Sequence, residues 1–504
     1  MKAKRVKTIS VGKKGVAAFV LLFVLLFLPS SSYSETFEVG PGKRFESIGD
    51  VPWESLSAGD EVLIYWRAQP YKEKWVIAVQ GSEAKPFVVR GIPGEDGTLP
   101  VVDGREAVTR KEINFWNENR GVVKIGGANL PAVDVPTWII VENLDIRSGR
   151  TPYLFTGRSG LAAYSRNAAS VYVENGQNVT IRNCILRDSG NGLFVSHASR
   201  NIVVEGCWIL ENGIENSIYE HNAYTEALGM VYQYNRFGPL RFNCLGNNLK
   251  DRSAGTVVRY NWIEGGNRQL DLVDAEDSQD LVNHPSYRST FVYGNILIEP
   301  DGAGNSQIVH YGGDSGNTSL YRKGMLHFFN NTVVSSRLNN TTLMRLSTNE
   351  ETCDCRNNVV YVTGVGTSLA LLDSAGFLRI RNNWLKSGWR TSHSGLTGIV
   401  ENGGGTVIGD KPGFVDETGQ DFRPAPSSPC VNAGTLLHPD TSPFHLLALQ
   451  YVKHRAFKKR PTDGRTDIGA FEFEAPSPRG LRISRLPSSF LCIMKTRRSI
   501  PTRN

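Results

Sequence analysis

The chain has 504 residues, of which 40% are hydrophobic and 21% charged, and its formal net charge is +7. The charge is concentrated at the ends: residues 1–34 carry six Lys or Arg, residues 477–504 carry seven, and neither stretch contains an acid. Without these side chains the body has a charge of about −6, which removes the argument for nucleic-acid binding that the total charge suggests. We therefore expect no nucleic-acid partner.

Residues 1–34 are predicted to be an export signal. A basic start precedes an apolar run over residues 16–28, and a cleavage site follows at residues 32–34. An apolar run of this length is too short to span a bilayer comfortably. We expect cleavage, no stable transmembrane span afterwards, and a body that is secreted or held in the periplasm or cell envelope. An uncleaved anchor is the alternative.

The body, residues 35–474, is predicted to be β structure. Its short alternating apolar runs are separated by glycines and prolines, and no helical periodicity exceeds a couple of turns. We expect an N-terminal cap and first coils over residues 35–110 and a closing cap over residues 400–474. Residues 475–504 are basic and free of acids, which predicts a disordered tail.

An internal repeat consists of an alternating apolar run, an asparagine, one further residue and a large apolar residue. The asparagine recurs at spacings of 23 to 36 residues, with glycine replacing it once: Asn183, Gly206, Asn235, Asn261, Asn295, Asn331, Asn358 and Asn383. Units of this size favour coils of a parallel β-helix, whereas propeller blades need about 40–45 residues each. We predict an all-β, right-handed parallel β-helix, with a propeller as the alternative, and a monomer.

The asparagines are predicted to be structural. An Asn at the turn between strands tolerates left-handed geometry, and its amide can bond its counterparts in the coils above and below. We assign none of them to catalysis.

A further strand of each coil can be aligned into columns. The inward column is predicted to hold Leu193, Leu249, Leu270, Ile308 and Leu343. The next, outward column is predicted to hold Phe194, Lys250, Asp271 and Val309, and the column two further on Ser196, Arg252, Val273 and Tyr311. Adjacent strands lie about 4.7–4.9 Å apart, so neighbours within a column touch. The groove along this face is the predicted ligand site.

The repeat and the closing segment 465–472 (RTDIGAFE) resemble exported bacterial β-helix proteins of the pectate-lyase-like superfamily. Residues 248–250 (NLK), 259–261 (RYN) and 270–272 (LDL) are similar to the chondroitinase–alginate lyase family. The resemblance implies a polysaccharide substrate and a lyase in which Lys250 matches the catalytic lysine. The family's arginine at the end of the following strand is replaced here by Val273, and Arg252 is our candidate substitute.

Lyase chemistry on a uronate-containing polysaccharide removes the proton beside the sugar carboxylate and then expels the 4-linked sugar. The site must neutralise that carboxylate and supply a base, and a lysine near another cation can serve as the base. We assign these catalytic roles to Lys250 and Arg252, with His221 as a further acid–base group. The expected substrate-binding residues are Tyr224, Arg259, Asp271, His310 and Tyr311.

Three alternatives stay open. Asp271 beside Lys250 favours a charged lysine, in which case the pair is a surface ion pair of little energetic value. The acids Asp271, Asp274, Glu276 and Asp277 offer oxygen ligands for calcium, or a carboxylate pair for a glycoside hydrolase, although an acidic solvated turn also explains them. A non-catalytic glycan-binding or cell-surface β-helix is the third alternative.

Overall fold

The computed structural model describes residues 34–475, so the predicted export signal and basic tail lie almost entirely outside the described residues. Along most of this range the chain winds through three parallel sheets, and one coil contributes one strand to each sheet. Sheet 1 holds the strands that precede the asparagine turn, sheet 2 the strands that follow it, and sheet 3 the strands that lead into the next sheet 1 strand.

Sheet 1 pairs its strands in parallel from the first coil to the last. Its strands are Thr36–Val39, Glu61–Tyr65, Phe87–Ile92, Thr137–Glu142, Gln177–Arg182, the second parts of Asn191–Glu205 and Ala223–Gln233, Val257–Arg259, Ser289–Tyr293, Met325–Phe329, Thr352–Arg356, Phe377–Arg381 and Ile399–Asn402. Sheet 2 consists of Val101–Asp103, Asp145–Arg147, Ile185–Arg187, Trp208–Leu210, Arg236–Phe237, Trp262–Glu264, Ile296–Glu299, Thr332–Ser335, Val359–Val362, Trp384–Lys386 and Val407–Gly409.

Sheet 3 carries the candidate site. Its strands are Glu73–Ile77, Gly121–Ile125, Ala169–Val173, the first parts of Asn191–Glu205 and Ala223–Gln233, Leu249–Asp251, Leu270–Leu272, Gln307–Tyr311, Thr341–Leu346 and Leu369–Leu372. Two long strands bend from sheet 3 into sheet 1 without a break, with a register shift between Val195 and Ser199.

The remaining elements are short. Val108–Thr109, Leu154–Gly157 and Gly160–Ala163 extend the first coils, and antiparallel pairs join Asn114–Phe115 to Ala128–Leu130, Phe414–Asp416 to Asp421–Pro424, and Leu449–Val452 to Ala456–Lys459. In the described part of the chain, one α-helix spans Gln279–Asn283, and 3₁₀ turns span Ile48–Asp50, Trp53–Ser55, Glu118–Arg120, Pro285–Arg288, Gly366–Ser368 and Pro439–Thr441. Across residues 34–475, no helix has the length and apolar character needed to cross a membrane.

This architecture confirms the predicted β-helix. Successive strands of one sheet run parallel and are joined by a passage through the other two sheets, so each coil pairs with the backbone edge of the one before. One continuous core of inward side chains runs from Phe37 to Leu385 and fills the space between the three sheets. The edge strands of such a stack expose unpaired backbone groups.

The asparagines form a buried ladder along the turn between sheets 1 and 2. Each side-chain amide donates to the carbonyl oxygen of the next asparagine at 3.0–3.1 Å, through Asn235, Asn261, Asn295, Asn331, Asn358 and Asn383. Each oxygen also accepts from the backbone amide of the preceding asparagine, as Asn295 does from Asn261 at 2.9 Å. The predicted structural role of the asparagines is confirmed.

For the six ladder asparagines the left-handed geometry lies one residue earlier than predicted. Asn183 and Gly206 do have positive φ, as predicted, but they precede the ladder position, which Cys207 occupies in its coil by donating its backbone amide to Asn235 Oδ1 at 2.9 Å. The residues with positive φ directly precede the ladder positions: Tyr234, Tyr260, Gly294, Asn330, Asn357 and Asn382. The ladder asparagine is therefore not the residue that absorbs the turn. The two tasks are separated because the ladder side chain must point into the stack, whereas its predecessor reverses the backbone.

Replacing Asn295 with alanine tests the ladder. The change removes the acceptor of the Asn261 backbone amide, and a buried donor without a partner costs about 1–3 kcal/mol. We expect the amides of the adjacent coils to exchange hydrogen about 5- to 150-fold faster, since 1.4 kcal/mol corresponds to a factor of ten. Hydrogen–deuterium exchange with mass spectrometry measures this. The exposed Asn339→Ala is the control, and equal exchange in both variants would refute the role of the ladder.

Candidate active site

A cleft of about 910 Å³ lies on the outer face of sheet 3. Most of its lining side chains are polar or charged: Arg166, Asn167, Ile218, Tyr219, Glu220, His221, Tyr224, Asn247, Lys250, Arg252, Asn267, Arg268, Asp271, Glu276, Asp314 and Ser315. Five of the predicted site residues line this cleft: His221, Tyr224, Lys250, Arg252 and Asp271. Tyr219 adds an exposed aromatic ring at its edge.

Strand pairing builds the centre of the cleft as one column. Phe194 pairs with Tyr224, Tyr224 with Lys250, and Lys250 with Asp271. The predicted alignment of Phe194, Lys250 and Asp271 is therefore confirmed. The column changes along its length from aromatic rings, with Phe194 and Tyr224 packed edge to face at 5.0 Å, to charged side chains.

The alignment is wrong by one residue in the next coil. Leu270 pairs with Val309 and Asp271 pairs with His310, so Val309 points inward and His310 takes the outward position predicted for Val309. Because Ile308 and Val309 are both apolar and both buried, the alternation that sets the register is absent from this strand. Tyr311 consequently pairs with Leu272 and is buried in the core, not placed in the groove.

Lys250 and Arg252 share one face, as predicted from their spacing. Asp251 between them points the other way, and its carboxylate accepts hydrogen bonds from the Thr225 hydroxyl at 2.8 Å and the Thr256 hydroxyl at 2.5 Å. Both cations point outward into the cleft, as the outward columns predict, but they are nearly buried at its base. Their burial follows from the acidic side chains that surround them.

Lys250 is held by two carboxylates. Its ammonium donates to Asp271 Oδ2 at 2.9 Å and makes a short contact with Asp314. Burial opposes the charged form, but Asp271 and Asp314 together raise the pKa of Lys250 above its ordinary value, against the repulsion of Arg252. In this arrangement Lys250 keeps its proton at neutral pH.

Arg252 is also fully engaged. Its guanidinium donates to the Tyr224 hydroxyl at 3.0 Å, to Asp314 Oδ1 at 2.9 Å and to the Asp274 carbonyl at 2.5 Å, and it pairs with Glu276 at 2.9 Å. Asp314 therefore bridges the two cations, with one carboxylate oxygen on each. The attraction of Lys250 and Arg252 outweighs its burial and lowers the pKa of Asp314.

Asp314 is the residue that sequence reasoning missed. It lies in the loop 312–316 (GGDSG), directly after the strand Gln307–Tyr311, and its backbone amide donates to Asp274 Oδ1 at 2.8 Å. The glycine-rich composition of the loop indicates a tight turn, but that the loop folds back over Lys250 depends on the coil geometry.

Arg268 is a second residue of the cleft that was not predicted from the sequence. It lines the cleft, donates to Gln307 at 2.9 Å and lies 3.9 Å from Asp271, and its Nε has no hydrogen-bond partner.

Asp271 anchors the floor of the cleft. Besides Lys250, it binds the Asn247 side-chain amide at 2.6 Å and His310 Nδ1 at 2.8 Å, and His310 Nε2 in turn lies 2.9 Å from the Ser347 hydroxyl. Burial opposes ionisation, yet Lys250 and His310 hold the pKa of Asp271 well below its ordinary value. His310 is 2% exposed, so it positions Asp271 rather than extending the groove, which corrects its predicted substrate-binding role.

Arg259 lies in sheet 1 and does not reach the cleft. It donates to Gln233 at 2.9 Å and to the Tyr293 hydroxyl at 3.1 Å on the outer face of that sheet. The prediction that Arg259 contacts substrate in this groove is therefore wrong. Arg259 is close to Lys250 in sequence, but the five-residue connection 252–256 takes the chain around a corner into another sheet.

His221 faces the cleft as a neutral donor. The backbone amide of Asn247 donates to its Nδ1 at 2.8 Å, which leaves the proton on Nε2. Burial, together with nearby Lys250, lowers the pKa of His221 to about 3. A neutral imidazole whose free lone pair is already taken is a hydrogen-bond donor to a sugar oxygen, not a proton acceptor.

The expected calcium ligands do not converge. Asp271 is bound to Lys250 and His310, Asp274 accepts from the Asp314 amide, and Glu276 pairs with Arg252. Within the described part of the chain, the side chains close enough to share a metal ion form two groups: His197 with Glu226 and Asp277, and His327 with His438 and Asp440. Only Asp277 of the predicted acids belongs to either.

Comparison with known proteins gives similarity in fold. The pectate lyase Pel9A has a TM-score of 0.48 at 11% identity, covering 88% of this chain and 97% of that one. An alginate lyase from Paenibacillus sp. str. FPU-7 scores 0.43 at 10% identity, covering 69% and 99%. The GH136 lacto-N-biosidase from Eubacterium ramulus scores 0.41 at 12% identity, covering 75% and 68%. At scores below 0.5 these likenesses carry no argument about activity.

No family model matches the chain. No curated protein matches it by sequence either. The function has to be argued from the cleft itself.

The tautomer of His221 can be tested by NMR. Because burial holds its pKa near 3, we expect the ¹⁵N shifts of this ring to stay those of a neutral Nε2–H imidazole down to about pH 4, well below the ordinary histidine value of about 6.5. The His221→Gln variant assigns the resonances by their loss. Titration near pH 6.5, or a proton on Nδ1, would contradict the described geometry.

Proposed function

We propose that this chain is an exported enzyme that binds uronate-containing polysaccharide in the cleft and cleaves it by β-elimination. One observation carries the proposal: Lys250 and Arg252 hold a single carboxylate, that of Asp314, between them. A site that receives a carboxylate in this way is also suited to the carboxylate of a sugar acid, because two cations at a fixed spacing match its two oxygens.

In this mechanism the sugar carboxylate displaces Asp314 from the two cations. Arg252, supported by Arg268 across the cleft, neutralises the carboxylate, which acidifies the neighbouring C5 proton. Lys250 removes that proton, the electron pair of the C5–H bond forms a C4–C5 double bond, and the C4–O4 bond breaks. The departing O4 takes a proton from water, so the released chain ends in a hydroxyl group and the other new end is unsaturated. His221 and Tyr224 donate hydrogen bonds to sugar oxygens on the opposite side of Lys250 from Asp271.

The state of Lys250 sets a condition on this chemistry. Its pKa is raised by Asp271 and Asp314, so the unprotonated base is scarce at neutral pH and becomes more abundant as the pH rises. When the sugar carboxylate displaces Asp314, its charge has to rest on Arg252 and Arg268, so that Lys250 loses one of its two anions and its pKa falls. The proposal therefore requires the loop 312–316 to move away from Lys250 and Arg252 when substrate binds.

A second function, binding without cleavage, is favoured by the same ion pairs. Two cations that are already neutralised by Asp271, Asp314, Asp274 and Glu276 hold a polar cleft in shape without supplying a base. Sugar hydroxyl groups would then bind the polar lining, and Tyr219 would offer a stacking surface. The two functions differ in whether new unsaturated ends form.

The first test incubates the protein with alginate, pectate and glycosaminoglycan chains and follows the ultraviolet absorbance of unsaturated ends. We expect turnover on one acidic polymer and at least about a hundredfold loss in Lys250→Ala and Arg252→Ala, since general-base catalysis contributes about 10²–10⁴ in rate. Lys72→Ala, an exposed lysine paired with Glu106, is the matched control. Binding of a polymer without any product at any pH would leave the binding function and exclude the lyase.

The Asp314→Asn variant tests the base. It removes one anion from Lys250 and frees the carboxylate position, so we expect the rising limb of log(kcat/KM) against pH to move to lower pH and the rate near neutral pH to increase. An unchanged profile, with activity still dependent on Lys250, would show that Lys250 does not act as the base. A loss of activity would show that Asp314 itself takes part in the reaction.

A further inference from the structure

The outer face of sheet 1 carries a second cluster of reactive side chains, on a different sheet from the cleft. His327 lies in the strand Met325–Phe329, where its neighbours Leu326 and Phe328 point into the core. The His327 ring therefore points outward, but it is only 1% exposed. It is covered by the segment 436–449, which crosses this face before the last hairpin.

His327 is a buried polar side chain without a partner. Neither of its ring nitrogens makes a hydrogen bond, although a neutral imidazole has one donor and one acceptor to satisfy. Buried polar groups are nearly always paired, so an exception calls for a physical cause.

Two further ligand-type side chains reach the same point from the covering segment. Asp440 Oδ2 lies 3.8 Å from His327 Nε2 and 3.5 Å from His438 Nδ1, and one ligand atom from each of the three residues falls within 4.8 Å of the others. Zinc bonds of about 2.0–2.2 Å place two ligands of a tetrahedral ion about 3.4 Å apart. The spacing is close to that value, and His438 and Asp440 lie on a partly exposed turn.

We propose that His327, His438 and Asp440 form a binding site for a divalent transition-metal ion of the zinc class, which fastens the segment 436–449 to sheet 1. The ion takes one nitrogen of each histidine and one oxygen of the aspartate, and a water molecule completes its shell on the solvent side. Imidazole with carboxylate is a donor set that favours Zn²⁺ over Ca²⁺ or Mg²⁺.

The other hydrogen bonds around the cluster are compatible with an ion. His438 Nδ1 accepts only a long bond of 3.3 Å from the Asp440 backbone amide, which an ion at this nitrogen would replace. Asp354, which pairs with His327 in the next strand, is occupied by Arg356 at 2.5 and 2.6 Å and does not compete. The ion satisfies the Nε2 of His327, while its Nδ1 keeps the proton.

The competing explanation is aromatic packing. His327 stacks on Phe291 with ring centroids 4.6 Å apart, and His445 stacks on the same ring at 3.6 Å. His445 is a half-buried histidine whose Nδ1 has no hydrogen-bond partner, but it does not belong to the group that can share an ion. It therefore serves as a matched control for the effect of removing a stacked histidine.

The experiment uses the full chain without any affinity tag, stripped with a chelator and titrated with Zn²⁺ alone by calorimetry. We expect one ion per chain and a thermal unfolding midpoint that rises with Zn²⁺ concentration, because an ion that binds only the folded state stabilises it. His327→Phe, which keeps the stack, and His438→Ala, on the surface turn, should each weaken binding by more than about tenfold.

Two controls make the outcome decisive. His445→Phe and His197→Ala should bind Zn²⁺ as the unaltered chain does, the latter because it breaks only the group formed with Glu226 and Asp277. Absence of Zn²⁺ binding by the unaltered chain would overturn the proposal. So would binding that survives in both His327→Phe and His438→Ala, which would place the ion elsewhere. Titration with Ca²⁺ should produce no change in the unfolding midpoint.

Discussion

The buried asparagine ladder is the constraint on which the rest of the structure depends. Side chains alternate along each strand, so a slip of one residue between coils would exchange the inward and outward faces. Hydrogen bonds of 3.0–3.1 Å between successive asparagines exclude that slip at the turn between sheets 1 and 2. The strands of sheet 3 belong to the same coils and pair in parallel, and in this stack Lys250 meets Asp271.

The shape of the cleft also depends on a buried arginine, Arg322, which lies beneath its strands. Arg322 is fully enclosed and donates to the backbone carbonyls of Val273 and Ser253 at 2.9 Å and of Asp251 at 3.2 Å. A buried guanidinium is tolerated only when its donors are satisfied, and here the acceptors are the ends of the two strands that carry Lys250 and Asp271. The floor is therefore rigid, and Asp314 on its exposed loop is the group that a ligand can displace.

The features that were predicted correctly are those that follow from the alternation of apolar and polar residues along the strands. Period-two patterning and the recurring asparagine were enough for the β-helix, the ladder, and the placing of Lys250 and Arg252 on one face. The register failed at Ile308 and Val309, where two apolar residues in succession remove the pattern, and His310 and Tyr311 were misplaced with it. The positions of Arg259 and Asp314 could not be predicted for another reason. The chain turns a corner before Arg259, which places it in another sheet, and the loop that carries Asp314 folds back over Lys250 of an earlier coil.

The two outer faces of the β-helix differ in what covers them. On sheet 1 the outward residues of the central coils include the aromatic rings Phe291, Tyr293 and Phe329, and the closing segment seals them with Leu447 and Leu449. On sheet 3 the outward residues change from aromatic to charged at Lys250, and such a surface gains little from being covered because its ions would have to be desolvated. The same repeat thus has one closed face and one open face. The open face holds the polar cleft because its charges are satisfied by one another while remaining within reach of a ligand.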